Sequence, residues 1–146
     1  MKTAATFLSK EEQQQVTDAI RSAEKSTSGE IRVHLEAKCA DDPLDRAAYL
    51  FDKLNMQKTE LRNGVLFYLA YEDHKFAILG DAGINKVTEE DFWDTIKEMM
   101  AGHFKQNQFA DGLAKGIRMA GEALNKHFPY QSDDENELSD DISFGK

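Results

Sequence analysis

The chain has 146 residues, 40% hydrophobic and 31% charged, an ordinary balance for a globular protein long enough to bury a core. A formal charge of −9 and a pI near 4.9 exclude non-specific attachment to nucleic acid or to an anionic membrane, since both carry the same sign. No stretch has the apolar length of a signal peptide or a membrane-inserted helix, and Cys39, the one cysteine, permits neither an internal disulfide nor a CxxC site. Cys39 is therefore expected to be a structural thiol, and a reducing cytoplasm the expected location.

Ser9 followed by Glu12 has the form of a capping box and predicts a helix over residues 10–26, with Val16, Ile20 and Ala23 on one face. Residues 30–37 alternate, Ile31, Val33 and Leu35 against Arg32, His34 and Glu36, which predicts a half-buried strand with His34 on its solvent side. A helix over 44–55 follows. The apolar run "GVLFYLAY" at 64–71 predicts a central strand, and "KFAILG" at 75–80 a second one. Only Glu72-Asp73-His74 joins them, so the two form an antiparallel hairpin with His74 at its turn. Helices are predicted over 89–105, capped by Thr88 and filled by Phe92, Ile96, Met99 and Met100, and over 109–127. The latter carries Gly112 and Gly116, whose cost of about 1 kcal/mol each inside a helix implies close approach of another element. Residues 1–129 read as one unit. Residues 130–146, with six acids and one lysine, read as a disordered acidic tail. This order of elements predicts an α/β fold, a three-layer α/β/α sandwich over a small mixed central β-sheet.

"GDAGINKVTEEDFWD", residues 80–94, concentrates Asp81, Glu89, Glu90, Asp91 and Asp94. A helix start at Glu89 accounts for three of these through the macrodipole, but not for Asp81 or Asp94. Hairpin geometry brings the segment "KTELRN" at 58–63 beside this loop, adding Glu60 and Asn63 at the same end of the sheet. Asp41, Asp42 and Asp45 fall at the opposite end if the first two strands are parallel. Two like charges about 4 Å apart repel by roughly 4 kcal/mol at an effective dielectric near 20, and a divalent cation would remove that repulsion. Hard oxygen donors without paired histidines or thiolates select calcium or magnesium over zinc. Asp81, Glu89, Glu90, Asp91, Asp94, Glu60 and Asn63 are thus the expected metal ligands. The EF-hand ladder, the P-loop, G-x-S-x-G and H-E-x-x-H are all missing from the sequence, so the residues alone establish no enzyme.

The blocks "SGEIRVHLEAKC", "DRAAYLFDKLNMQKTELRNGVLFYLAYEDHKFAILGDAGI" and "FWDTIKEMMAGHFKQNQFADGLAKGIRMAGEAL" resemble the TPM domain family, over about residues 7–128. This is the domain shared by a thylakoid lumen protein, a photosystem II repair protein and a worm acetylcholine-receptor modulator. Ser28-Gly29-Glu30, Asn63-Gly64, Gly80 with Gly83, and Phe109 with Gly112 and Gly116 carry the likeness. The resemblance implies a four-stranded mixed sheet, so a short fourth strand is expected in a loop. It also implies divalent-cation binding flanked by Asn63, Gly64, Gly80, Asp81 and Gly83, and, from plant members, an acid phosphatase activity. The leading expectation is a stand-alone, cation-binding module that modulates a protein partner. The alternatives are a metal-dependent acid phosphatase and an interaction module without metal.

Overall fold

The computed structural model describes residues 3–130 and 141–145. In chain order the elements are α1 (Ala4–Phe7), α2 (Lys10–Glu24), β1 (Glu30–Glu36), α3 (Pro43–Lys53), a 3-10 turn (Met56–Lys58), β2 (Gly64–Ala70), β3 (Lys75–Gly80), α4 (Ala82–Asn85), α5 (Phe92–Lys105), α6 (Phe109–His127) and β4 (Ser143–Phe144). The capping box opens α2 as expected: the Glu12 N–H donates to Ser9 Oγ and the Ser9 N–H to Glu12 Oε1.

The sheet runs β3-β2-β1-β4 and is mixed. β1 and β2 are parallel, joined by the crossover through α3, while β2 and β3 make the expected antiparallel hairpin. Every residue of β2 is buried because each face has its own cover. Val65, Phe67 and Leu69 pack with α2, α5 and α6, whereas Leu66, Tyr68 and Ala70 pack with Ala47, Leu50 and Phe51 of α3. Burial of side chains this size stabilises by about 1.5–3 kcal/mol each. The architecture is a four-stranded mixed sheet between helical layers.

Three expectations need correction. His34 is 4% exposed, not on a solvent face, because the Tyr68 ring, Ser143 of β4 and the Gly145 backbone pack around it. The fourth strand is β4, which pairs in parallel with His34 and Leu35 from within the segment read as tail; the rest of that reading, residues 131–140, lies outside the described residues. Finally, α5 begins at Phe92. Thr88 donates its hydroxyl to Ile84 O, closing the turn of α4, and the Phe92 N–H donates to Glu89 O, so residues 89–91 form a turn before the helix. Among the described residues no helix is long and apolar enough to cross a membrane.

Candidate functional site

One end of the sheet gathers the starts of β1 and β2 and the finish of β3. The Asp81 N–H donates to Gly64 O at 2.9 Å, so the segment before β2 and the loop after β3 do meet there. Asp81 is 6% exposed and sits at the N-terminal cap of α4, where Oδ1 accepts the Ala82 N–H at 2.7 Å. Its two oxygens also accept a fork from Arg62, Nε to Oδ2 at 2.7 Å and Nη2 to Oδ1 at 2.8 Å. Arg62 reaches this geometry from a left-handed backbone, φ 53°, with its side chain half exposed. The Gly83 N–H donates to Arg62 O at 2.7 Å, tying the same loop to α4. The charge on Asp81 is therefore met by the neighbouring loop itself.

A cavity of about 220 Å³ opens beside this pair, lined by Asp52, Gln57, Arg62 and Asp81 over an apolar wall of Phe51 and Leu79. Gln57 donates its amide nitrogen to Asp52 Oδ1 at 2.9 Å, while its Oε1 is buried with no hydrogen-bond partner. A buried acceptor left alone costs free energy. Asp52, Gln57 and Asp81 thus line one small space whose positive charge is Arg62.

The other sequence-identified acids are dispersed. Asn63 is buried and its amide nitrogen lies 3.5 Å from Ser28 Oγ; Glu60, Glu90 and Asp94 are exposed. Glu89 and Asp91 line a separate cleft against α6. Among the described residues no three His, Cys, Asp or Glu side chains are grouped to hold a metal ion. Asp52 and Gln57 escaped the sequence reading because α3 and the 3-10 turn showed no motif. Arg62 is the one arginine of "KTELRN", and nothing local in the sequence pairs it with Asp81 nineteen positions later.

The opposite end holds a second polar network. Glu36, 3% exposed, accepts Arg46 Nε and Nη2, both at 2.9 Å, and the Tyr68 hydroxyl. His34 completes it, Nε2 lying 3.4 Å from Glu36 Oε1 and Nδ1 2.8 Å from Ser143 Oγ of β4. The register places Tyr68 directly across from His34, so one face of two parallel strands carries all three side chains. The i, i+2 spacing of His34 and Glu36 was the available sequence signal. Cys39 is buried nearby, its thiol donating to Asp41 O, as a structural thiol should be. Asp42 caps α3 at this end through the Leu44 N–H.

Burial lowers the His34 pKa below its ordinary 6.5, only partly opposed by Glu36. Burial would raise Glu36, but hydrogen bonds from Arg46 and Tyr68 with the charge of Arg46 overcome it and hold the carboxyl below its ordinary 4.5. Both groups bind fewer protons folded than unfolded. The His34 contribution is complete above about 6.5 and falls as the pH drops below it; that of Glu36 is complete above about 4.5 and falls in stronger acid. Urea titrations between pH 7.5 and 5.5 should show stability declining with acid, and His34→Gln should flatten that slope (an unchanged slope would contradict the assignment).

The chain matches the family profile of the TPM domain over residues 1–123. The chain belongs to the TPM domain family. Among solved structures, this TPM domain is similar to the NMR structure of the BA42 protein from the psychrophilic bacterium Bizionia argentinensis sp. nov., at 51% identity and TM-score 0.90, over 99% of this chain and 100% of that one. It shares its fold with the N-terminal domain of the cg2496 protein from Corynebacterium glutamicum, at 15% identity and TM-score 0.65, over 80% of this chain and 74% of that one. No curated protein matches the chain.

Proposed function

We propose that this TPM domain binds calcium or magnesium beside Asp81, in exchange for Arg62, and that the exchange alters the surface offered to a protein partner. The observation that carries this reading is the cavity lined by Asp81, Asp52 and Gln57 beside the Arg62 guanidinium that pairs with Asp81. Asp81 is the anchor, since its position is fixed by Gly64 O and the Ala82 N–H whether or not Arg62 is bound. A bound divalent ion would supply two positive charges where Arg62 supplies one. Arg62 can leave without a burial cost because its side chain is already 51% exposed. Its departure would remove one of the two ties holding residues 58–63 to α4, where Leu61 is 49% exposed. Glu60, Glu90 and Asp94 stand outside the cavity and contribute a negative field that raises the local cation concentration.

Calorimetric titration of chelator-stripped protein with calcium chloride and magnesium chloride tests the site. The native chain should bind at least one of the two, and Asp81→Asn, which keeps the shape and the cap, should abolish the heat. Retained binding in Asp81→Asn would remove Asp81 from the site. Adding p-nitrophenyl phosphate to the same samples separates binding without turnover from a metal-assisted phosphatase.

A further inference from the structure

Glycines on α6 set its path relative to its neighbours. A Cβ at Gly112 would lie 2.8 Å from Phe104, and one at Gly116 2.7 Å from Met100 Sδ, so the first half of α6 lies close against α5. A Cβ at Gly121 would instead meet the Ala23 Cβ at 2.8 Å, which draws the second half onto α2. Between the start of α5 and the second half of α6 a cleft of about 510 Å³ remains. That volume falls within the roughly 300–1,000 Å³ of known small-molecule sites. The partly buried Phe92 and Met119 provide its accessible apolar lining over the fully buried Ile96, and Val87, 41% exposed, lines it as well.

Charge selects the occupant. Glu89, Asp91 and Glu122 are exposed lining residues, against Lys126 and the partly buried His127. A second copy would bring its own −9 to this acidic rim, and an anionic lipid surface or nucleic acid is repelled in the same way. We infer that the cleft between α5 and α6 receives a basic amphipathic segment of a partner protein, its apolar anchors on Phe92 and Met119 and its lysines or arginines against Glu89, Asp91 and Glu122. Two of the acids flagged in the sequence as metal ligands thereby acquire a separate role, independent of the cation site.

The test uses ¹⁵N-labelled full-length protein, an amidated leucine–lysine helical peptide and its leucine–glutamate counterpart, at physiological salt. The lysine peptide should give saturable amide shifts confined to residues around Val87, Ile96 and Met119, and the glutamate peptide none. Charge reversal at the rim (Glu89→Lys, Asp91→Lys, Glu122→Lys) should weaken binding by about tenfold, whereas reversal at exposed Glu11, Glu72 and Glu98 should not. Equal loss in both triple variants would mean that overall charge attracts the peptide and would overturn the inference. So would shifts centred elsewhere, an absence of binding, or the same shifts produced by raising protein concentration alone, which would mark the cleft as a contact between copies.

Discussion

Glu36→Gln should lower the thermal midpoint by roughly 10 °C, from a stability loss of about 3 kcal/mol. The native carboxylate only accepts, and it meets Arg46 at 2.9 Å twice, the Tyr68 hydroxyl and the His34 ring. An amide there keeps the shape but loses the charge and turns one acceptor into a donor facing other donors. Desolvation has already been incurred by Glu36, whose side chain is 4% exposed, while Arg46 at 31% can partly regain water, which keeps the loss near the lower end for a broken buried pair. Replacing the pair together, Glu36→Leu with Arg46→Met, removes both charges but leaves the buried Tyr68 hydroxyl without its acceptor, so it should recover only part of the midpoint. If Glu36→Gln unfolds within 2–3 °C of the native chain (about 1 kcal/mol for a chain this size), the network contributes packing and little else.

Gly83→Ala should be comparably damaging, for a different reason. No glycine among the described residues has a positive φ, so backbone freedom does not explain Gly83. Space does: an added Cβ would lie 2.1 Å from Leu61 O and 2.6 Å from Arg62 O, and backbone cannot rotate away as a flexible side chain can. The expected cost is about 3 kcal/mol, the upper part of the range for inserting a methyl group into filled space. Because the displaced loop carries Arg62, the same substitution should alter cation affinity, which a purely structural glycine would not. Gly102 is the control. Nothing lies within 4 Å of a Cβ there, so Gly102→Ala should stabilise α5 by roughly 0.5–1 kcal/mol in urea titrations.

The repeating elements were legible because their pattern is local. β3 at Lys75–Gly80 and α6 at Phe109–His127 match the sequence expectation residue for residue, and the short link between β2 and β3 already required Asp81 to return beside Gly64. Short elements and paired charges were not legible. β4 has two residues, too few for any periodicity, and exists because β1 offers it an open edge. His34 alternates like a surface residue, yet Tyr68, Ser143 and Gly145 arrive from elsewhere in the chain to enclose it. The acidic loop shows the same limit in charge: five carboxylates in fifteen residues suggest repulsion, but Arg62, nineteen positions before Asp81, swings in from a left-handed turn to meet the one that is buried.

The central claim is that Arg62 and a divalent cation compete for the Asp81 carboxylate. Calcium and magnesium titrations of chelator-stripped native protein and of Arg62→Gln test it most directly. Loss of the competitor should tighten cation binding severalfold in the variant. Equal or weaker binding by Arg62→Gln, or no binding by either protein, would contradict the account.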